Sequence, residues 1–192
     1  MPRLLYSPPS PYSAKVRLAA KHLGIAIELE TVNTGQAPSV LIDGNPLGKI
    51  PTLLLDDGSA VFDSRVIMRH LDRSAKGELF ADETAELIEA VADGICDSAL
   101  AHVYERRNRP EEKVHQPVLD WQWDKVSRGL DWVGDHLPPT AKPDAGGFAL
   151  RAALGYLALR FGGKWEAGRD ALTDWATAFD SAHPDLTDCL PA

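Results

Sequence analysis

The chain has 192 residues, 44% hydrophobic and 25% charged, a balance typical of a globular protein with one large or two small domains. Its formal net charge is −8, and it has no basic stripe for a phosphate backbone, which argues against direct binding of nucleic acid. No stretch approaches the roughly 20 apolar residues that a membrane-spanning helix needs, so we expect no membrane partner.

The first part of the chain alternates between strand and helix patterns. Residues 3–6 indicate a short strand, and residues 7–11 form a proline-rich turn. Residues 13–23 have helical spacing, and a glycine follows them as a stop signal. Residues 25–32 alternate as a second strand, and residues 33–48 are rich in Gly, Pro, Asn and Asp, which predicts a long loop.

A hairpin and a helix follow this loop. Residues 51–55 and 60–62 flank an Asp-Asp-Gly turn, which is a strong hairpin signal. Asp63 or Ser64 then caps a helix that runs through Leu71. The order β-α-β, connection, β-β-α predicts a parallel first pair of strands and an antiparallel hairpin.

The remainder of the chain indicates helices only. Apolar side chains recur every three to four residues in four segments, at 88–103, 114–137, 148–157 and 172–179. The third is rich in small residues and is expected to be central, with Asp144 as a one-sided N-cap because Gly147 stands where a reciprocal partner belongs. We therefore expect an α/β domain at 1–75, a linker at 76–82 and an all-α domain at 83–192. The cleft between the domains is the expected ligand site.

Two short stretches suit an extended, anionic, peptide-like ligand. Ile50-Pro51 places an apolar residue before a proline at the start of a strand, where a cis peptide would present bare backbone groups. Asp63-Ser64 opens a helix, and a helix N-terminus attracts an anion. From the residues alone, a trans proline that begins an edge strand is the favoured interpretation of the first stretch.

The layout and three motifs resemble the cytosolic glutathione S-transferase family, over essentially the whole chain. Residues 45–53 look like the family's proline-loop motif, and residues 62–67 look like the helix start that follows it. Residues 10–17 are similar to the active-site stretch of its bacterial, serine-type members. The resemblance implies a thioredoxin-like α/β domain, an all-α domain and a homodimer. It also implies conjugation of glutathione to small hydrophobic electrophiles, a detoxification activity, without a metal.

The resemblance implies a hydroxyl that stabilises the thiolate of glutathione. A thiol has a reference pKa of about 8.5, and only the thiolate is a good nucleophile. Ser10, between the first strand and the first helix, is the first choice, because its hydrogen bond would act together with the helix dipole. Ser13 at the expected N-cap and Tyr6 at the end of the strand are the alternatives, and ordinary capping would also explain Ser13.

The resemblance also implies the contacts that hold glutathione. A cis Ile50-Pro51 bond would let the Ile50 backbone pair with the cysteinyl part, and Ser64 would bind the γ-glutamyl carboxylate. Asp63 would pair with the γ-glutamyl ammonium, although most family members have the longer Glu or Gln here. Lys49 would approach the glycyl carboxylate. Helix capping remains an alternative role for Asp63 and Ser64, and solvation remains one for Lys49.

The first helix of the second domain carries two acids one turn apart. Asp93 and Asp97 share a helix face with Tyr104 further along, an arrangement that fits acid–base work or solvated charges. By the resemblance, one of them would lie near the γ-glutamyl ammonium. The electrophile is expected between the turn at 7–11 and the helical residues 93–107.

The remaining reactive residues set limits on the chemistry. The six histidines form no ligand pair, so no metal is expected. Cys96 and Cys189 have no redox spacing and neither lies near Ser10, which disfavours a thioltransferase mechanism. These cysteines, and the lack of an apolar signal core at the N-terminus, predict a cytoplasmic location. A non-catalytic glutathione-binding or protein-interaction module, and a glutathione-dependent peroxidase or reductase, are the alternative functions.

Overall fold

The computed structural model describes all 192 residues and opens with a four-stranded mixed sheet. The strands are β1 (Arg3–Tyr6), β2 (Glu28–Thr31), β3 (Thr52–Leu54) and β4 (Ala60–Phe62). The helices of this half are α1 (Pro11–His22), α2 (Ser39–Gly44) and α3 (Ser64–Ala75). The strand order is β2-β1-β3-β4, with β1 and β2 parallel and the other two pairs antiparallel. The predicted β-α-β, β-β-α order and strand directions are therefore confirmed.

Three boundaries in this half differ from the prediction. β2 is shorter than residues 25–32 because the four residues of β1 pair only with Glu28–Thr31. The predicted loop contains α2, which is held by Leu41, a fully buried side chain that packs with Leu5 and Val32. α3 continues past Leu71 to Ala75, and its C-cap Lys76 adopts the left-handed conformation with φ of 51°.

The second half is helical, as predicted. Its helices are α4 (Glu83–Arg107), α5 (Gln116–Gly134), α6 (Ala145–Phe161) and α7 (Asp170–Ala182). α6 is central, because most of its residues are buried, and the Asp144 carboxylate caps it by accepting from the Gly147 amide at 2.8 Å. Gly146 allows α6 to approach α4, since a Cβ there would meet the Ala85 carbonyl oxygen at 2.9 Å.

None of these helices combines the length and the apolar character needed to cross a membrane.

A buried ion network joins the two halves. Lys15 on α1 is 1% exposed, and its Nζ lies 2.9 Å from Glu89 Oε1 and 2.8 Å from Asp93 Oδ2, both on α4. Arg65 on α3 completes the network through Nε, 2.8 Å from Asp93 Oδ2. Burial raises the pKa of Glu89, and the charge of Lys15 opposes that rise. Of the roles that the sequence left open for Asp93 and Asp97, that of a solvated charge does not apply to Asp93, because it is buried in this network.

The end of the chain packs back onto α1. A short 3-10 helix, Pro184–Cys189, follows α7, and the Asp188 carbonyl accepts a hydrogen bond from Arg17 at 2.7 Å. The Asp185 carbonyl accepts another from Lys21. α1 is therefore held by the helical half at two places. Lys15 binds α4, and Arg17 and Lys21 bind the 3-10 helix at the end of the chain.

Candidate active site

A cleft of about 830 Å³ lies between the two halves. The sheet half contributes the turn after β1, the loop that precedes β3 and the start of α3. The helical half contributes one face of α4 and the C-terminal end of α6. The turn at 7–11 and the predicted helix do line the cleft, whereas the contribution of α6 was not predicted.

Ser10 is the N-cap of α1. Its Oγ accepts a hydrogen bond from the Ser13 amide at 3.2 Å, and Pro11 occupies the first helical position. The prediction that Ser13 caps this helix is therefore wrong, because the helix begins three residues earlier. A hydroxyl has one donor and two acceptor positions. Capping uses one acceptor position, so the Ser10 proton remains free to donate into the cleft, beside the positive end of the helix dipole.

The two alternative hydroxyls lie elsewhere. Ser13 is fully buried, and its Oγ has no hydrogen-bond partner. Tyr6 lies under the Arg17 guanidinium, whose carbon is 5.1 Å from the ring centroid. Neither residue lines the cleft. Of the three hydroxyls that the sequence singled out, the structure brings only Ser10 to the cleft.

The loop before β3 presents unpaired backbone. The Ile50-Pro51 peptide bond is cis, and neither the N–H nor the C=O of Ile50 forms a hydrogen bond within the protein. Two side chains fix the loop from behind, because Asn45 Nδ2 and Thr52 Oγ1 each donate to the Lys49 carbonyl at 2.9 Å. The supporting roles of Asn45 and Thr52 were not predicted, although both residues lie within the motif at 45–53. The unpaired Ile50 amide can bond to an extended peptide as an added strand.

The start of α3 combines backbone strain with open amides. Asp63 has φ of 63° and ψ of 129°, and a non-glycine residue in such a region costs about 1–3 kcal/mol. Its carboxylate accepts from the Arg65 amide at 2.9 Å, so Asp63 is the N-cap. Ser64 follows at the first helical position and lines the cleft. A helix start of this kind binds carboxylates through its free N–H groups.

Tyr12 and Asp97 form a hydrogen-bonded pair across the cleft. The Tyr12 hydroxyl on α1 donates to the Asp97 carboxylate on α4, and both side chains line the cleft. Burial raises the pKa of Tyr12, and the negative charges around it add to the rise. The sequence does not predict a role for Tyr12, because nothing in the motif at 10–17 distinguishes it from its neighbours.

The far end of the cleft is aromatic and positive. Tyr104 and Arg107 reach it from α4, and Tyr156 and Arg160 reach it from α6. Burial raises the pKa of Tyr156, while the positive charges of Arg160 and Arg107 act against that rise. The α6 residues were missed because a helix rich in small apolar residues indicates core and gives no sign of which end reaches solvent. No group of three or more His, Cys, Asp or Glu side chains is arranged to hold a metal ion.

Comparison with known proteins agrees with this architecture. Residues 9–74 match the family model for the glutathione S-transferase N-terminal domain. The uncharacterized GST-like protein YibF of Escherichia coli K12 is 32% identical over 168 residues, which cover 82% of this chain and 83% of YibF.

Two solved structures extend the comparison to the fold. A glutathione S-transferase from Methylobacillus flagellatus KT, solved with glutathione bound, is 33% identical with a TM-score of 0.87, and each chain is covered completely. A glutathione transferase family member from Pseudomonas fluorescens Pf-5 with bound glutathione is 30% identical with a TM-score of 0.88, again with complete coverage. The predicted fold, a thioredoxin-like α/β domain followed by an all-α domain, is confirmed.

Proposed function

The chain belongs to the glutathione S-transferase family, and we propose that it conjugates glutathione to small electrophiles by the serine-type mechanism. The observation that carries the proposal is the Ser10 hydroxyl, which caps α1 and still has a proton to donate into the cleft. The relatives solved with glutathione bound support the choice of co-substrate.

Glutathione would lie along the sheet side of the cleft. The free backbone groups of Ile50 would pair with its cysteinyl residue, and the open amide and hydroxyl of Ser64 would bind its γ-glutamyl carboxylate. Asp63 would face the γ-glutamyl ammonium with the carboxylate oxygen that capping leaves free. Lys49, which precedes Ile50 and also lines the cleft, would meet the glycyl carboxylate.

Ser10 would act on the sulfur. A hydrogen bond to the thiolate favours the charged form and lowers the thiol pKa, and each unit of lowering corresponds to about 1.4 kcal/mol. The helix dipole of α1 would add to this effect. The thiolate then attacks the electrophilic carbon, the S–C bond forms, and the leaving group departs with the bonding electrons.

The direct test compares variants of Ser10. Ser10→Ala should lower the turnover of an aryl halide at neutral pH, while calorimetric glutathione affinity persists. Loss of the cap costs about 1 kcal/mol with Ala but only a few tenths with Gly, so Ser10→Gly separates a loss of the hydroxyl from a loss of helix stability. Ser13→Ala is the matched control. Unchanged turnover in both Ser10 variants would refute the assignment.

Two other functions use the same cleft. A non-catalytic module would bind glutathione without turning over any electrophile, and measuring both quantities on one preparation separates it from a transferase. A glutathione-dependent peroxidase or reductase would consume a hydroperoxide or disulfide instead. Cys96 and Cys189 are buried free thiols outside the cleft, so the sulfur in either reaction would come from glutathione. Their free state also supports a location in the reducing cytoplasm, where conjugation of electrophiles serves detoxification.

We further propose that the protein acts as a homodimer. Leu87 on α4 and Val66 on α3 are about half exposed, and the two helices are joined beside them by the Arg69–Glu86 ion pair at 2.7 Å. A second copy would cover these apolar side chains. Sedimentation velocity should show a dimer, and Leu87→Asp should shift it towards monomer; a monomeric wild-type protein would refute the proposal.

A further inference from the structure

The far end of the cleft carries two positive charges without counter-charges. Arg107 and Arg160 both line it, and neither forms an ion pair or a hydrogen bond within the protein. The net charge of the chain is −8, so two unpaired guanidinium groups at one end of a cleft mark a place where an anion is favoured.

Two hydroxyls accompany these arginines. Tyr104 and Tyr156 line the same end, and neither hydroxyl forms a hydrogen bond within the protein. The Arg107 guanidinium carbon lies 5.5 Å from the centroid of the Tyr104 ring, a cation–π contact. Tyr156 is only 2% exposed, and the charges of Arg107 and Arg160 both act to lower the pKa of its phenol. Four donor side chains without partners in the protein therefore line this part of the cleft.

The acids of the cleft are already engaged elsewhere. Asp63 caps α3, and Asp97 accepts from Tyr12. Asp97, Tyr104 and Arg107 lie on one face of α4, and at 1.5 Å per residue Arg107 is about 15 Å along the helix axis from Asp97. The charge of the cleft thus changes from acidic near the start of α1 to basic at the far end.

We propose that the electrophile of this enzyme carries an anionic group, a carboxylate, which Arg107 and Arg160 bind while the reactive carbon faces the sulfur. The inference rests on the proposed transferase function and narrows its substrate class from small electrophiles in general to small electrophiles that carry a carboxylate. Guanidinium groups bind carboxylates through paired charge-assisted hydrogen bonds. Such contacts fix the orientation of the electrophile, which is how remote binding assists the reacting centre.

A benzylic chloride provides a balanced reaction for the test. The thiolate of glutathione attacks the CH₂ carbon of 4-(chloromethyl)benzoate, the S–C bond forms, and the C–Cl bond breaks. Chloride leaves with the bonding electrons, and the thiol proton is released to solvent. The methyl ester of the same compound has the same reactive carbon without the charge, so the pair isolates the effect of the carboxylate.

The primary readout is binding of the two products, which does not require turnover. Calorimetry would measure the affinities of S-(4-carboxybenzyl)glutathione (the acid) and its methyl ester (the ester) for the wild-type protein and for the Arg107→Gln and Arg160→Gln variants. We expect the acid to bind more tightly than the ester, and each substitution to reduce the acid-to-ester affinity ratio about tenfold, which corresponds to about 1.4 kcal/mol. Both side chains are exposed, so folding should be retained.

Arg106→Gln is the matched control. Arg106 is the neighbour of Arg107 on α4, but its charge acts on His102 and Lys164, outside the cleft. The Arg106→Gln variant removes one positive charge from the same helix turn. Its acid-to-ester affinity ratio should stay within about twofold of wild type, because a screened surface charge changes binding by no more than that.

Four outcomes separate this inference from the transferase proposal. A falling ratio in both cleft variants and a constant ratio in Arg106→Gln support carboxylate binding at Arg107 and Arg160, and a lack of turnover of both chlorides would then refute only the transferase proposal. Equal binding of acid and ester by the wild-type protein overturns it. An equal loss of affinity for acid, ester and free glutathione also overturns it, because the arginines would then hold a carboxylate of glutathione itself. Absence of binding by both conjugates overturns the inference together with the proposed function.

Discussion

The buried lysine at the junction of the two halves gives the sharpest stability prediction. Lys15 is the only hydrogen-bond partner of the Glu89 carboxylate, whereas Asp93 keeps Arg65 if Lys15 is lost. Removing one member of a buried pair costs about 3–5 kcal/mol, because the remaining charge is left uncompensated. For a chain of this size, 1 kcal/mol shifts Tm by about 2–4 °C, so Lys15→Met should lower Tm by roughly 6–20 °C.

The loss should depend on pH. Burial already raises the pKa of Glu89 above its unfolded value, and removal of Lys15 raises it further. A group whose folded pKa is raised binds more protons in the native state, so stability falls as pH rises from the unfolded pKa to the folded one. Lys15→Met should therefore be more destabilising at pH 8 than at pH 5, in urea unfolding with an unchanged m-value.

Two controls identify the origin of the effect. Lys15→Met with Glu89→Gln removes the stranded charge and should recover much of the stability at pH 8. Lys142→Met breaks an exposed pair with Glu78 and should cost less than about 1 kcal/mol. A loss below 1 kcal/mol in Lys15→Met, or a loss that is the same at both pH values, would refute the reasoning.

Three further predictions concern other parts of the chain. Asp144→Ala removes the N-cap of α6 and should lower the free energy of unfolding by about 1 kcal/mol; urea unfolding within error of wild type would contradict the capping role. Burial raises the thiol pKa of Cys96 and of Cys189. A disulfide reagent at pH 8 should therefore label neither thiol in the native protein and both thiols in the urea-unfolded protein. Rapid labelling of the native protein would contradict this prediction. Asp97→Asn should weaken glutathione binding about three- to tenfold if Asp97 faces the γ-glutamyl ammonium, a loss of about 1 kcal/mol; an unchanged calorimetric Kd would exclude that contact.

The fold was largely readable because its signals are local. Turn residues bounded the hairpin, and three-to-four-residue spacing marked the four long helices. α2 was missed because its stability comes from Leu41 packing against distant residues and not from a periodic pattern. The cap of α1 was misplaced at Ser13, although Ser10-Pro11 carried the correct signal: proline favours the first helical position, which leaves the cap to the residue before it.

The lining of the cleft was more predictable on the sheet side than on the helical side, where α4 was expected and α6 was not. The proline loop and the start of α3 are contiguous motifs, so their residues could be named together. Glu89, Asp93 and Asp97 repeat at intervals of four residues, and that spacing does not tell which of them faces Lys15 and which faces the cleft. Tyr156 and Arg160 line the cleft because α6 packs against α4, a relation that a linear pattern does not contain.

The ion network also bears on how the two halves can change over evolution. A recombination event that joined the first eighty residues to a foreign helical domain would bury Lys15 against whatever residues replaced Glu89 and Asp93. Any such chimera without acidic residues at those two positions would bury the charge of Lys15 without a partner. The two halves are therefore expected to be inherited together, with changes at these three positions arising as linked substitutions.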